Sequence, residues 1–395
     1  MRVLDDHFPF TEDEELFREE LRDWLADHLV GEFRNYLGVG GPADDSHWEL
    51  RLAWEKELAA DRWLNISWPE CYGGRGGTLN QEIITYLEFA ESRAPYWVGV
   101  QGRDLFGPTL LQFGTDAQKL RFLPPITRVE EFWSQGFSEP EAGSDIASLR
   151  TNAVLDGDEW VINGQKVWNT FGTHADWIYT LCRTDPSLAR HRGISMLIVR
   201  CDQPGVDIRP IRTLSGTHEF CEVFFSDART PADHIVGSVN GAWAVMMGTL
   251  GQERALTTLP MVLGFRSEVE RAVGIARRRG SSEDPVVRQA LAHAYSGMMI
   301  IRWTNYRLLT TLMRGGTLGP ESSVAKLMWA EWHRSMGELA MRLEGVASDL
   351  TGDGFELSQL QMTALNARAE TIYGGSSEVQ RNIVGERALG LPKEP

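Results

Sequence analysis

The spacing of apolar residues changes twice along this chain, and that change restricts what it can fold into. Over residues 11–132 they recur at every third or fourth position (Leu16, Phe17, Leu21, Trp24, Leu25, then Leu52, Trp54, Leu58), the stripe of amphipathic helices. Thr11 opens TEDE, an N-cap followed by acids that complement the positive end of a helix dipole. Glycines crowd ECYGGRGGT, 70–78, and predict a loop, with a further helix over 79–94. From Trp133 the texture becomes short β-type runs (EWVING, DWIYTLCR, GISMLIVR) separated by the turn signals DGD, TDP and QPG. Helical spacing returns over 243–274, 284–313, 322–348 and 360–388. The chain therefore reads as α+β with three domains: helical over 1–132, a β-barrel or sandwich over 133–237, and a C-terminal four-helix bundle over 238–395.

Charge and composition exclude several function classes. The 55 acidic against 39 basic residues give a net charge of −16, which repels the phosphates of nucleic acid, so no DNA or RNA partner is expected. No apolar run approaches the roughly 18 residues of a membrane span, and the acidic start MRVLDDHFPF lacks a signal-peptide pattern, so a cytoplasmic protein is expected. Cys71, Cys182, Cys201 and Cys221 show no C-x-x-C spacing and are expected to be reduced core residues rather than metal ligands. GVGGPA at 38–43 has no preceding strand and reads as a loop, THEFCE at 217–222 lacks the second histidine of a zinc motif, and Arg277, Arg278 and Arg279 read as a solvated helix end, with binding of an anion such as a phosphate as the alternative.

Two segments of the β-zone spend residues in ways that packing does not require. QGFSEPEAGSD, 135–145, leaves a β-stretch, turns at Pro140 and ends where Gly143 permits close approach and Ser144 offers a hydroxyl. INGQKVWNTFGTHADW, 162–177, contains Asn163-Gly164, which predicts a hairpin turn, and strand alternation then sets Lys166, Trp168 and Thr170 on one face. An indole beside a hydroxyl suits a planar heteroaromatic ring with polar edges.

These two segments, together with the tail IYGGSSEVQRNIVGERALG at 372–390, resemble the acyl-CoA dehydrogenase family, whose members carry a TEPxAGSD-like turn, a K-x-W-x-T strand and a similar tail in this order. The resemblance runs over nearly the whole chain. It implies bound FAD, with Gln135, Phe137 and Ser138 against the flavin, Trp168 packed on the isoalloxazine and Thr170 near its N5. It places Ser144 near phosphates of FAD or of the substrate, and Ser376 and Glu378 with the adenosine half. The implied reaction is α,β-dehydrogenation of an acyl-CoA thioester, with electrons passed to an electron-transfer flavoprotein by a dimer or tetramer.

That reaction needs a base for the α proton. Many members place a glutamate directly after the tyrosine of the tail, but here Gly374 and Gly375 follow Tyr373. Others carry the base in a Glu-Arg pair on the first C-terminal helix, matching Glu253-Arg254 in MMGTLGQERALTT. Helical spacing independently puts Glu253 on the face of Met246, Leu250 and Leu256, where desolvation would strengthen it as a base. Ser144, Arg254, Gly374 and Gly375 are the expected substrate contacts. Two segments depart from the family pattern: RRRGSSEDP, 277–285, replaces R-x-x-F-G, and Arg342-Leu343-Glu344-Gly345-Val346 replaces Q-x-x-G-G. In the family both hold FAD across a subunit boundary. A hetero-oligomer acting on bulky, steroid-type CoA esters and an oxidase of the same fold therefore stand beside the simple dehydrogenase.

Overall fold

The computed structural model describes residues 10–40, 44–253, 259–352 and 356–393, with backbone alone at 250–253, 259, 260 and 263. The chain divides into two compact units, one over residues 1–253 apart from 214–216, the other over 254–395.

The first unit opens with α1 (Glu12–His28), α2 (Gly31–Asn35), α3 (Trp48–Ala60), α4 (Leu79–Ser92), α5 (Gly107–Phe113) and α6 (Asp116–Thr127). Local chemistry sets the starts of α1, α4 and α6: Thr11, Thr78 and Thr115 each close a capping box with Glu14, Gln81 and Gln118 three residues on. Along α1, Phe17, Leu21 and Leu25 form the buried stripe, whereas Leu16 is exposed. A π-helical turn at Gln101–Phe106 leads into α5, and such turns recur at functional sites.

The strands are β1 (Trp133–Gly136), β2 (Asn152–Asp156), β3 (Glu159–Thr170), β4 (Trp177–Arg183), β5 (Ile194–Arg200), β6 (Val206–Ile211), β7 (Phe220–Pro231) and β8 (Ile235–Val236). They form one sheet in the order β6-β7-β3-β2-β4-β5-β8, with β1 pairing parallel to β4. Alternation along β4 and β5 feeds two cores. Ile178, Cys182, Leu197 and Val199 join Trp160, Ile162, Val223 and Phe225 on one face. Tyr179, Leu181, Met196 and Ile198 on the other join Phe106, Leu110 and Phe122 of the helices. With both faces covered, β4 is buried at nearly every position, which explains why DWIYTLCR reads as a continuous apolar run. Helix α7 (Ala242–Glu253) closes this unit, with the Thr249 hydroxyl 2.8 Å from that of Thr109 in α5, both buried.

In the second unit α8 (Leu259–Arg278), α9 (Pro285–Met313), α10 (Glu321–Glu344) and α11 (Gln359–Glu370) share one core, including Phe265, Ile301, Trp329, Met336 and Leu360, and α12 (Ser377–Ile383) follows. This is the four-helix bundle expected from the sequence. A Cβ on Gly337 would come within 2.7 Å of the Ala364 backbone, so glycine there lets α10 and α11 approach closely.

Three expectations need correction. Asn163-Gly164 is not a hairpin turn: β3 runs through it with a register shift, and the hairpin turns at Gly157-Asp158, where Asp156 pairs with Glu159 and Gly157 has φ +66°. The helix expected over 360–388 is broken between α11 and α12, where Gly374 and Gly375 adopt φ +63° and +91°. Of the helix expected over 243–274, α7 and α8 are described, and 254–258 lie outside the described residues. Cys71 is exposed in a short 3-10 turn, not a core residue.

Candidate active site

The two motif segments of the middle domain lie side by side, running in opposite directions, and are tied by hydrogen bonds. Ser134 Oγ donates to Thr170 O at 2.8 Å, Asn169 Nδ2 to Gln135 O at 2.7 Å, Lys166 Nζ to Phe137 O at 3.2 Å, and the Val167 N–H to Ser138 O at 3.0 Å. The structure thus brings Gln135, Phe137 and Ser138 together with Trp168 and Thr170.

Lys166, Trp168 and Thr170 do not share a face, which corrects the alternation expected from the sequence. A second register shift falls between Val167 and Asn169, and Trp168 takes the extra position with φ +64°. One extra residue in a strand inverts the facing of every residue after it. Lys166 and Asn169 therefore both point inward and are fully buried, while Trp168 is 57% exposed. A tryptophan in the left-handed region costs roughly 1–2 kcal/mol, and here the strain accompanies a large apolar side chain presented outward. Phe220 meets its ring edge-on at 5.9 Å.

Behind these segments lies a charged pair. Lys166 Nζ donates to Glu139 Oε1 at 2.8 Å, and the Glu139 carboxylate also accepts the N–H groups of Arg150 at 2.6 Å and Thr151 at 2.9 Å. Burial works to raise the Glu139 carboxyl, but the Lys166 charge and these donors hold it below its ordinary value. Burial lowers Lys166, and Glu139 offsets part of that. Among the described residues, the buried polar atoms without a partner include three beside these segments, Gln135 Nε2, Asn169 Oδ1 and Glu219 Oε2. Gln135 Nε2 is buried and donates to nothing, and Glu219, buried beside Phe171 whose N–H its carbonyl accepts, has a free Oε2 and a pKa raised by burial. The hydroxyls of Ser138, Ser144 and Thr170 likewise bond to none of the described residues. Ser144 is exposed beyond the Glu139–Ala142 turn.

The other expected site residues sit elsewhere. Glu253 ends α7, one turn beyond the buried Thr249, and its side chain lies outside the described residues, as does all of Arg254. In the second unit Ser376 is the N-cap of α12, its Oγ accepting the Val379 N–H at 3.3 Å. Glu378 is exposed in the first turn, held below its usual range by its own N–H and the Ser376 hydroxyl. The carbonyls of Gly374 and Gly375 accept from buried Gln380 Nε2 at 2.9 and 3.3 Å, so this side chain fixes the glycine bend. Glu139, Asn169, Glu219 and Gln380 were not singled out in the sequence. Only Glu139 carried a signal, a carboxylate within the motif turn facing the motif lysine.

Models of the acyl-CoA dehydrogenase N-terminal, middle and C-terminal domains match residues 11–130, 134–228 and 240–389. The chain belongs to the acyl-CoA dehydrogenase family. Its members are oxidoreductases acting on CH–CH groups. Acyl-CoA dehydrogenase IpdE1 of Mycobacterium tuberculosis (strain ATCC 25618 / H37Rv) is 47% identical over 386 residues, covering 97% of this chain and 99% of that protein. Acyl-CoA dehydrogenase FadE26 of the same organism is 32% identical, covering 97% and 98%. Among solved structures, the Tcur3481-Tcur3483 steroid ACAD superposes with a TM-score of 0.84 at 29% identity over 98% of this chain and 99% of that one. The ChsE4-ChsE5 complex from Mycobacterium tuberculosis does so with a TM-score of 0.79 at 31% identity over the full length of both chains.

Proposed function

We propose that this chain is an FAD-dependent dehydrogenase that introduces an α,β double bond into a bulky, steroid-type CoA thioester, working in an assembly with a second, non-identical subunit. The observation that carries the reading is Trp168, held outward by a strained bulge beside uncommitted hydroxyls at Ser138 and Thr170. A flat, polar-edged ring laid on that surface would cover the indole. The buried Gln135 amide also fits such a group, because an unpaired buried donor costs about 1–3 kcal/mol and a polar cofactor edge would satisfy it. Bound flavin supplies the acceptor for the hydride leaving Cβ.

The chain's own residues supply the rest. Glu253 takes the α proton from the end of α7, while Ser144, Arg254, Gly374 and Gly375 orient the thioester and its phosphates. Ser376 and Glu378, at the start of α12, hold the adenosine half of FAD. Bulky substrate and mixed assembly are supported by the steroid ACAD and the two-component complexes among the similar structures, and by the altered 277–285 and 342–346 segments. Electrons leave to an electron-transfer flavoprotein.

The test is spectroscopic. The purified assembly should be yellow and bleach without oxygen on adding a steroid-type CoA ester, then reduce an electron-carrier dye with no peroxide formed in air. Peroxide formation would identify an oxidase instead, and a colourless protein would overturn the flavin reading. Glu253→Gln should keep the yellow colour and lower kcat by about 10²–10⁴-fold, the usual worth of a general base.

A further inference from the structure

The Lys166–Glu139 pair is the one fully enclosed ion pair, among the described residues, that touches the peptide of a motif segment. Lys166 is 0% exposed and donates at once to Phe137 O and to Glu139 Oε1. Phe137 O belongs to the peptide whose other end is the Ser138 N–H, and that N–H donates to none of the described residues. A cation bonded to a carbonyl draws electron density through the amide and makes its N–H a stronger donor. The same lysine sits two residues before Trp168, and Glu139 sits one after Ser138, so the pair fixes the spacing between both segments.

Resting on the flavin reading above, we propose that Lys166 is a positioning residue of the flavin pocket. Clamped by Glu139, it holds Phe137-Ser138 against the Trp168 strand and polarises the Phe137–Ser138 peptide toward the polar edge of the cofactor. Negative charge gained there on reduction is stabilised by the strengthened donor, so the pair favours the reduced over the oxidised cofactor. Glu139 acts through Lys166, and both of its oxygens are engaged by the chain itself, Oε1 by Lys166 and the Thr151 N–H and Oε2 by the Arg150 N–H.

The test compares wild type with Lys166→Met, Lys166→Arg and the double variant Glu139→Gln/Lys166→Met, in the full chain as it assembles. Apoprotein is titrated into FAD and flavin fluorescence is read, the midpoint potential of the bound flavin is measured, and thermal melting of the apoprotein reports folding. The double variant removes both charges, so it leaves no buried ion unpaired and guards against a mere folding defect. The expected result is an apoprotein that melts as wild type does, binds FAD at least tenfold more weakly and shows a more negative potential, with Lys166→Arg partly restoring both. A folded double variant with wild-type FAD affinity and potential would overturn the proposal while leaving the flavin reading intact. Wild-type apoprotein that does not bind FAD would overturn both.

Discussion

Trp168 separates a packing role from a ligand-facing one. A core tryptophan replaced by a small residue costs about 3–5 kcal/mol, but this one is largely exposed and strained at φ +64°. Glycine adopts that conformation freely, at the cost of some entropy in the unfolded chain. Trp168→Gly should therefore leave apoprotein stability within about 1 kcal/mol of wild type, while FAD titration shows at least tenfold weaker binding. Denaturant unfolding that loses about 3 kcal/mol would return Trp168 to the core. The sequence exposed this residue through its motif, but period-two alternation gave it the wrong neighbours. Alternation assumes a regular ladder, and the bulge is set by pairing with Cys221 and Glu222, more than fifty residues on.

At the scale of elements, the C-terminal bundle is locked by a buried histidine between two acids. His333 of α10 lies with Nδ1 2.6 Å from Glu370 of α11 and Nε2 2.9 Å from Glu268 of α8, while Lys326 donates to the Glu370 carbonyl at 2.7 Å. Burial acts to lower the imidazole, but the two carboxylates raise it to about 10. A pKa raised on folding stabilises fully below the unfolded value of about 6.5 and is lost as pH climbs through the folded one. Denaturant midpoints of the bundle should thus fall between pH 6.5 and about 10, with no comparable loss on the way down to pH 6.5. His333→Gln should flatten that slope and cost about 3–5 kcal/mol, because two buried acids then face a neutral partner. None of this was legible in the sequence, since Glu268, His333 and Glu370 meet only once three helices pack.

At the scale of the whole molecule, the core of the bundle is built from its own helices, and the sheet's two cores from the first unit. A perturbation of one core should then be read mainly in its own unit. Gly337→Ala is the cleanest such change, since the added methyl meets the Ala364 backbone at 2.7 Å and must push α10 from α11. Hydrogen exchange should quicken across 321–370 and stay at wild-type rates across β3, β4 and β5. Faster exchange throughout the sheet would show that the units unfold as one.

Most element types, their order and the family motifs were determined by the sequence alone, because each is written within a few neighbouring residues: the N-cap at Thr11, helical apolar spacing, and the turn at Gly157. Tertiary structure decided which side chains meet. The outward Trp168, the Lys166–Glu139 clamp and the His333 lock depend on strands and helices far apart in the chain coming within about 3 Å. No local pattern encodes that distance, and one inserted strand residue reverses every facing read from spacing.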